Sequence, residues 1–583
     1  MFTNRDLARI MREMAAFYEM EGVAFRPAAY ERAAESLETS AEDAAALLEQ
    51  GGEKALRAKI PGVGAGIAEH IRDLLAKGTF KEYARFKKRY PLDILGLTAV
   101  ENVGPKTAKA LYQKLKIKTV DDLERAAQAG RIRGLPRFGR KTEENILKSI
   151  AFLRRGAGRR LLGEVLPIAE RLLAELRSLP EVKRAEVAGS IRRRQETIGD
   201  LDILVTTSKP EKAMAVFTGS PEVAEVLEHG PTKTTVRLKN GMNADVRVVP
   251  EDAYGAALQY FTGDKEHNVL VRRLAIAKGL KLNEYGLWRG AKRLASRTEE
   301  EVYAAMGLAC PPPEIRTASG EIEAATVKKL PKLIPYGALK GDLQVQTDWT
   351  DGAAQLEKMA ETAVAADLEY IAVTDHTRTL AMTGGLDEKK LKQQMERIDS
   401  LNAQYAAAGW PFRILKGAEV NILKDGSLDI ADETLAELDF VGAAIHSHFD
   451  LPRAEQTARL LAAVRHPHVD AILHPTGRLI GSREPLDLDM EAVIKEAART
   501  HTVLEVDAMP DRLDLRDAHV RLALRHGVKL CIDSDAHHPE HYRYLPLGLA
   551  TARRGWATAL DVINTWPVEK LLKWLKKPKN KRS

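Results

Sequence analysis

The chain has 583 residues, 44% hydrophobic and 29% charged, a length that predicts roughly three to five domains of about 150 residues each. Its formal net charge of +7 and its pI of about 9.0 permit nucleic-acid binding without requiring it. Two cysteines, no signal peptide and no bilayer-length apolar run exclude a disulfide-stapled or membrane protein, so we expect a location in the reducing cytoplasm.

The first 155 residues have the composition and periodicity of helices. A glycine turn followed by a helical stretch occurs three times, at 60–77, 102–114 and, more loosely, 133–153. Such a turn exposes backbone N–H groups at a helix N-terminus, where a phosphate can bind. The pattern resembles the helix-hairpin-helix motif, which binds the DNA backbone without sequence specificity; ordinary capped helix connections are the alternative. The expected DNA-binding residues are Gly62, Gly64, Gly104 and Lys106.

The most informative stretch begins with a Gly-Ser turn at Gly189 and Ser190, which arginines follow. Asp200 and Asp202 lie at i and i+2 in an apolar, strand-like run, so both carboxylates point to one side. A cation between them would relieve their repulsion, and oxygen ligands suit Mg²⁺ or Mn²⁺. Asp245, on a second strand-like run, would complete a two-metal site beside phosphate-binding donors, which favours nucleotidyl transfer. A strand-end Asp pair used for capping is the alternative.

Two further motifs follow, Tyr-Phe-Thr-Gly-Asp-Lys-Glu-His-Asn at 260–268 and Asn-Glu-Tyr-Gly at 283–286. Together with the Gly-Ser turn, the arginines and the three aspartates, their order resembles the family X DNA polymerases. The resemblance implies that Asp200 and Asp202 hold both metals, and that Asp245 completes the catalytic-metal site and helps to activate the primer 3′-hydroxyl. It implies that the incoming nucleotide is bound at its phosphates by Gly189, Ser190 and Arg193, at its sugar by Tyr260, Phe261 and Gly263, and at the minor-groove side of its base by Asn268.

Residues 1–80 resemble the small lyase domain of DNA polymerase beta. That domain binds a 5′-phosphate and, in the eukaryotic enzyme, removes deoxyribose phosphate through a lysine Schiff base. The nucleophile position is His70 here, and the neighbouring lysine position is Gly66. An imidazole cannot form that Schiff base, so we expect this lyase route to be absent. Arg26 and Tyr30 match positions of the phosphate pocket, so we expect gap binding to survive.

A proline-rich, charged stretch at 307–337 is interpreted as an inter-domain linker. Strand-like runs then alternate with helical patterns, which predicts a parallel, barrel-like α/β domain. The strand-like runs lie at 371–374, 414–416, 440–444, 471–473, 503–506 and 529–532. Candidate metal ligands follow them, where such barrels carry active sites. They are Asp375, His376, Glu419, His446, His448, His474, Asp535 and His537. A single strand-end histidine is more often structural, but packing does not explain this set, and its chemistry favours Zn²⁺, Mn²⁺ or Fe²⁺.

The motifs at 374–377, 474–478 and 533–537 resemble the PHP (polymerase and histidinol phosphatase) domain. The whole chain therefore resembles the bacterial PolX branch of family X, which carries an appended PHP domain. The resemblance implies a distorted (β/α)7 barrel with three metal sites. One site would use Asp351, His376 and His537. A second would use Glu419, His446 and His474, with Glu419 bridging to a third site formed with Asp535 and an H-x-H pair.

Gln344 and Gln346 replace that H-x-H pair in this chain. Amides are poor ligands for zinc or manganese, so we expect two ions, Zn²⁺ or Mn²⁺, and a weakened or empty third site. Compensation by His448 is the less favoured alternative. Two metals suffice for phosphodiester hydrolysis. We therefore expect 3′→5′ exonuclease or phosphodiesterase activity, with a barrel that is only structural or DNA-positioning as the alternative.

The predicted function is template-directed, gap-filling DNA synthesis in repair, using Mg²⁺ or Mn²⁺, deoxynucleoside triphosphates and gapped or primer–template DNA. A terminal transferase, a small-molecule nucleotidyltransferase and a DNA-binding scaffold are the alternatives. The predicted fold is multidomain, α+β and α/β, and the default state is a monomer. The expected segments are a lyase-like helix-hairpin-helix domain (1–85), a helical DNA-binding subdomain (86–155), a nucleotidyltransferase palm with a mixed sheet (156–250), a nucleotide-selection subdomain (251–306), the linker (307–337), the PHP domain (338–575) and a basic, solvated tail (576–583).

Overall fold

The chain divides into two compact units, residues 1–158 and 159–583. The computed structural model describes residues 2, 4–23, 26–39, 42–60, 62–100, 103–135, 138–154, 158–379, 384–481 and 483–582. Four residues of the predicted glycine turns, Pro61, Asn102, Pro136 and Arg137, lie outside this set. No helix in the described part of the chain combines the length and apolar character needed to span a bilayer.

The first unit is helical, as its periodicity predicts. Its helices are α1 (Asn4–Met20), α2 (Arg26–Thr39), α3 (Ala44–Lys59), α4 (Ala65–Lys77), α5 (Lys81–Arg89), α6 (Ile94–Thr98), α7 (Pro105–Leu115), α8 (Val120–Gln128) and α9 (Arg140–Arg154). Helix α1 buries Leu7, Met11, Met14 and Phe17, which lie three or four residues apart on one face. This stripe anchors the core of the unit.

Helices α4 and α7 each begin after a glycine that offers no side-chain cap. A Cβ added at Gly64 or Gly104 would meet no neighbouring atom within 4 Å, so both turns face open space. The first-turn N–H groups therefore have room for a phosphate oxygen. The third predicted turn is equally open at Gly139, directly before α9, while the buried Glu143 carboxylate accepts the backbone N–H groups of Ile132 and Arg133 earlier in that segment, each at 3.0 Å.

The second unit begins with a five-stranded mixed sheet, as predicted. Its strands are β2 (Val182–Val187), β4 (Asp200–Thr207), β5 (Val223–His229), β6 (Lys233–Leu238) and β7 (Asn243–Val248), and they lie in the order β2-β4-β7-β6-β5. Strands β1 (Arg160–Leu161) and β3 (Thr197–Ile198) form a separate short pair. The helices of this part are α10 (Leu162–Arg177), α11 (Gly189–Arg192) and α12 (Pro210–Gly219). Strands β4 and β7 are parallel, and the other neighbours in the five-stranded sheet are antiparallel.

A smaller α/β part follows this five-stranded sheet, which we call the palm sheet. It contains α13 (Tyr254–Thr262), α14 (Lys265–Ala277), β8 (Lys281–Asn283), β9 (Gly286–Arg289), β10 (Lys292–Ala295), α15 (Glu299–Ala305) and α16 (Glu321–Thr326). Helix α16 falls within the predicted linker, and its residues Ile322 and Ala325 are buried in the same core as Val302 and Tyr303. This part of the predicted inter-domain linker is therefore packed, and so few buried residues leave no periodic pattern in the sequence.

The C-terminal part is a nearly closed barrel of seven parallel strands in sequential order. The strands are β11 (Gly341–Val345), β12 (Tyr370–Val373), β13 (Arg413–Asn421), β14 (Phe440–Ala444), β15 (Ala471–Ile472), β16 (Val503–Asp507) and β17 (Leu530–Asp533). The helices are α17 (Leu356–Ala365), α18 (Glu388–Ala407), α19 (Asp432–Leu435), α20 (Arg453–Arg465), α21 (Met490–Thr500), α22 (Asp517–Arg525), α23 (Leu545–Arg554) and α24 (Val568–Leu575). A bridge between Val345 and Ala536 brings the last strand back to the first. The predicted barrel is thus confirmed.

The palm and the barrel share a hydrophobic core. Leu513 and Leu547 of the barrel are buried within the cluster formed by the palm sheet and α10. Gly163 of α10 lies so close to the barrel that a Cβ there would be 2.8 Å from Pro510. The two parts are therefore packed as one body rather than joined by a flexible tether.

The basic C-terminus is docked on the barrel. The Lys579 amine donates to the carbonyls of Val464 at 2.8 Å and His466 at 3.1 Å, and burial lowers its pKa to about 7. Arg582 pairs with the buried Asp470 at 2.7 Å. The prediction of a solvated tail is therefore wrong for these residues. The charge pattern of the tail does not show that Arg582 pairs with the buried Asp470 carboxylate.

Candidate active sites

Three aspartates meet on one face of the palm sheet. Strands β4 and β7 pair Asp202 directly with Asp245, and Asp200 with Asn243. Since strand side chains alternate between the two faces, Asp200, Asp202 and Asp245 all project on the same side. The structure thus brings the three predicted metal ligands together.

The electrostatics of this site favour a bound cation. Burial, and then the charges of Asp200 and Asp245, raise the pKa of Asp202 to about 6. Asp245 accepts a hydrogen bond from the Thr235 hydroxyl at 2.6 Å, and the Lys233 amine lies 3.6 Å away. The Arg247 guanidinium also lies 3.7 Å from Asp245, so two cations offset part of the repulsion, and the clustered carboxylates fit a divalent metal ion with oxygen ligands.

The Gly-Ser turn packs directly against the aspartates. Gly189 has φ +59°, and a Cβ there would lie 2.7 Å from Asp202 Oδ2, so the close approach requires glycine. The buried Ser190 Oγ and Arg193 Nε have no hydrogen-bond partner among the described residues. Donors left unpaired next to a metal site are suited to an anionic ligand such as a triphosphate.

Arg192 links this turn to the following subdomain. Its guanidinium donates to the Thr262 hydroxyl at 2.6 Å and to both oxygens of Glu299, at 3.0 and 2.6 Å. Glu299 also pairs with the buried Arg316. Burial opposes ionisation of Glu299, but the two arginines hold its pKa at about 2. The sequence analysis missed Glu299, because it lies 107 positions from Arg192 and no local motif marks it.

Gly263, one of the three predicted sugar-contacting residues, lies beside Arg193. Its guanidinium donates to the Thr262 carbonyl, and a Cβ at Gly263 (φ +66°) would be 3.2 Å from the same group. The rings of Tyr260 and Phe261 meet edge to face at 5.0 Å. The predicted nucleotide-selection segment and the predicted phosphate-binding arginine therefore adjoin at Thr262 and Gly263.

A second centre lies at the C-terminal ends of the barrel strands. Asp351, His376 and His537 offer ligand atoms that all lie within 4.8 Å of one another, and the same is true of His376, Glu419 and His446. The first set is the first predicted metal site. The second set shows that His376 stands between the two predicted sites.

Glu419 is fully buried and contacts three histidines of this second centre. Its Oε1 lies 2.8 Å from His474 Nε2 and 3.0 Å from His446 Nε2, and its Oε2 lies 3.2 Å from His376 Nδ1. Burial alone would raise the pKa of Glu419, but His376 and His446 hold it well below the usual value. This geometry suits the predicted bridging role.

Asn421, which the sequence analysis did not assign, and Asp375, a candidate ligand from the sequence, orient the groups of this centre. Asn421 Oδ1 lies 2.7 Å from His446 Nδ1, which leaves Nε2 for the centre. Asp375 accepts from the hydroxyls of Thr347 at 2.6 Å and Thr350 at 2.5 Å, which fixes the loop before Asp351. His448 is exposed and belongs to neither ligand group found among the described residues.

The third predicted metal site does not fit a metal ion in this structure. The Gln346 amide donates to Glu419 Oε2 at 2.8 Å, so its N–H group faces that carboxylate, and its Oε1 has no partner among the described residues. Both polar side-chain atoms of the buried Gln344 have no partner in the part of the chain that the structure describes. The Arg512 Nε lies 3.3 Å from Asp507 and 3.8 Å from Asp535, so a cation already stands beside Asp535.

The first unit has a pocket at the position of the lyase nucleophile. The Tyr30 hydroxyl lies 2.6 Å from His70 Nδ1. Arg26 donates to the Tyr18 hydroxyl at 2.8 Å and pairs with Glu82 at 3.1 Å, so this predicted phosphate ligand already has a carboxylate partner. The adjoining cavity of about 350 Å³ is lined by Glu69, His70, Asp73, Phe80, Lys81, Glu82 and Arg85.

Comparisons with known proteins agree with this architecture. Residues 257–317 match the DNA polymerase beta thumb, residues 2–80 a helix-hairpin-helix domain, and residues 94–151 a SAM-like helix-hairpin-helix tandem. DNA polymerase lambda of Rattus norvegicus is 23% identical over 337 residues, which cover 52% of this chain and 55% of that protein. A probable phosphatase of Acetivibrio thermocellus is 29% identical over 190 residues, 31% of this chain and 72% of that protein.

One relative matches along its whole length. The DNA polymerase/3′-5′ exonuclease PolX of Bacillus subtilis (strain 168) is 35% identical over 578 residues, which cover 98% of this chain and 99% of the relative. The chain therefore belongs to the PolX branch of the family X DNA polymerases.

Proposed function

We propose that this chain fills short gaps during DNA repair as a template-directed polymerase. The observation that supports this most strongly is the direct pairing of Asp202 with Asp245 beside the unpartnered donors of Ser190 and Arg193. Mg²⁺ or Mn²⁺ held by the three aspartates would supply positive charge for the reacting oxygens. The primer 3′-hydroxyl attacks the α-phosphorus of the nucleotide in line, and pyrophosphate leaves.

Each protein group has a defined part in that reaction. Asp245 helps to activate the primer hydroxyl. The Gly189 backbone, the Ser190 hydroxyl and the Arg193 guanidinium bind the phosphates. Tyr260, Phe261 and Gly263 lie beside the sugar, and Asn268 contacts the base. Substituting Asp245 and measuring extension of a primer across a one-nucleotide gap tests this assignment.

The first unit would hold the DNA backbone. Gly64 and Gly104 leave the first turns of α4 and α7 open to phosphates, Gly62 (φ +82°) precedes the first of these turns, and Lys106 is exposed next to the second. Arg26 and Tyr30 are weaker candidates, because Arg26 pairs with Glu82 and Tyr30 with His70. The protein would act as a monomer.

The barrel would hydrolyse phosphodiester bonds as a 3′→5′ exonuclease. Asp351, His376 and His537 would hold one ion, and Glu419, His446 and His474 a second, as Zn²⁺ or Mn²⁺, which would activate water and stabilise the leaving oxygen. Asp535 would remain beside Arg512 instead of binding a third ion. The second candidate function, a barrel that only positions DNA, is favoured by one observation, the Gln346 amide on the central glutamate. Primer shortening in the absence of nucleotides distinguishes the two.

A further inference from the structure

A row of buried polar side chains crosses the thumb and ends at Asn268. We call it the thumb relay and define it as Glu321, His267, Tyr303, Gln259 and Asn268. His267 Nδ1 lies 2.6 Å from Glu321 Oε1, and its Nε2 lies 2.7 Å from the Tyr303 hydroxyl. The Gln259 amide donates to Asn268 Oδ1 at 2.7 Å. Glu321, His267 and Tyr303 are fully buried, and Gln259 is 2% exposed.

The donor and acceptor roles are fixed separately at each end of the thumb relay. A carboxylate only accepts, so His267 Nδ1 carries the proton toward Glu321, and Nε2 of the neutral ring accepts from the Tyr303 hydroxyl. At the other end, Asn268 Nδ2 donates to the Tyr260 carbonyl at 2.7 Å. A carbonyl also only accepts, so the amide group of Asn268 cannot be reversed without losing this bond.

Gln259 is hydrogen-bonded to Asn268 and neighbours Tyr303. Its NH₂ group donates one hydrogen to Asn268 Oδ1. Burial raises the pKa of Tyr303, while the charge of Arg316 and then the neighbouring Gln259 side chain oppose that rise. The Asn268 oxygen is then hydrogen-bonded to Gln259 and one of its N–H groups to the Tyr260 carbonyl, so its second N–H group is left to bind a ligand. Asn268 is half-buried, so this N–H can meet a ligand.

We propose that Gln259 is a positioning residue for nucleotide selection, because it holds Asn268 so that only an N–H donor faces the incoming base. This inference rests on the proposed base contact of Asn268. In the minor groove, adenine and guanine present N3 and thymine and cytosine present O2, all hydrogen-bond acceptors. A fixed N–H donor can therefore form a hydrogen bond with any of the four correctly paired nucleotides. A reversed amide would instead place its own oxygen against the lone pairs of the base N3 or O2 atom.

The test compares dGTP with 3-deaza-dGTP, which lacks the N3 acceptor, in single-nucleotide gap filling opposite cytosine. One neutral hydrogen bond corresponds to roughly a two- to tenfold loss of kcat/KM for the analogue in the wild type. Gln259→Leu should bring the ratio of kcat/KM for dGTP to kcat/KM for 3-deaza-dGTP close to one, and it should lower kcat/KM for dGTP. Gln259→Glu, which keeps the shape but offers only acceptors, should do the same. Gln456→Leu removes a buried amide from the barrel and should keep the wild-type ratio. Thermal melting verifies that each variant is folded.

The possible results distinguish a failure of the role proposed for Gln259 from a failure of the proposed polymerase function. A wild-type ratio in both Gln259 variants would overturn the role of Gln259 and leave the base contact of Asn268 in place. A ratio of one in the wild type, unchanged in Asn268→Ala, would overturn the base contact and the relay together. Failure of the wild type to incorporate dGTP would overturn the proposed function itself.

Discussion

Asp202 and Asp245 are direct neighbours across the parallel strands β4 and β7, although 43 positions separate them in the chain. The register fixes their carboxylates on one face, and the Gly189 turn closes over Asp202 without room for a side chain. A rigid sheet is a precise support for metal ligands, because neither strand can shift by one residue without turning its carboxylates to the other face.

Asp245→Asn should lower nucleotide incorporation by at least about a hundredfold, as expected for the loss of a group that acts on the reacting oxygens. Binding of gapped DNA should change little, because Asp245 does not lie among the expected backbone contacts. Single-turnover gap filling and fluorescence anisotropy measure the two quantities. Incorporation at the wild-type rate would contradict the assignment.

Without divalent metal, Asp202 should make folding stability depend on pH. Its pKa is raised from 3.8 to about 6 in the folded state, so the folded chain holds this proton more tightly than the unfolded chain. The stabilisation is complete below about pH 4 and is lost as the pH rises through about 6, a change of roughly 3 kcal/mol at most. In EDTA, Asp202→Asn should therefore gain stability relative to the wild type between pH 4 and 7, measured by urea unfolding. An equal pH dependence in both proteins would refute this.

Restoring the H-x-H pair should create a third metal site in the barrel. In an Asp202→Ala background, which weakens the palm site, we expect two manganese ions per chain after loading and desalting. The Gln344→His/Gln346→His double variant should bind three, because imidazole replaces an amide that donates to Glu419. Mass spectrometry of metal content gives the count. Equal counts in both proteins would show that these glutamines do not limit metal binding.

Leu513→Ala should destabilise the palm as well as the barrel. The side chain is fully buried in the palm cluster, and such a truncation costs about 2–5 kcal/mol. The polymerase activity should be lost at a lower temperature than in the wild type. Leu560→Ala is the matched control, because Leu560 is 77% exposed. If palm and barrel were independent, Leu513→Ala would leave the thermal inactivation of polymerisation unchanged.

Glu82→Gln should increase the preference for a 5′-phosphorylated gap. The change removes the carboxylate that pairs with Arg26 and frees a guanidinium for phosphate, worth a few-fold in affinity. Competition binding with and without the 5′-phosphate measures the preference, and Glu49→Gln in α3 is a control at an exposed position. Borohydride should trap no covalent complex at His70 in any of these proteins. An unaltered preference in Glu82→Gln would show that Arg26 does not contact the phosphate.

The strands of the barrel, and the placement of the palm aspartates on one face of the sheet, could be predicted from the sequence. Strand alternation places Asp200 and Asp202 on one side, and apolar runs marked the strands that carry His376, Glu419 and Asp535. Motif order then related these residues to a known family. Each of these inferences depends on neighbours close in sequence or on a recognisable motif.

Other contacts left no such signal. Glu299 meets Arg192, Gln259 meets Asn268 within the thumb core, and Leu513 enters the palm core. These contacts depend on the packing of separate elements, and the residue types involved are ordinary helix or loop residues in their local sequence. The docking of Arg582 on Asp470 has the same origin, because the buried carboxylate lies far away in the chain.

The most direct test of the central claim, two separate active sites in one chain, is a labelled primer–template assay with and without nucleotides, in Mg²⁺ and in Mn²⁺. The wild type is compared with Asp202→Ala and His376→Ala. We predict that only Asp202→Ala loses extension and only His376→Ala loses primer shortening. Shortening that persists in His376→Ala, or extension that persists in Asp202→Ala, would contradict the claim, and a wild type that never shortens the primer would leave the barrel as a structural domain.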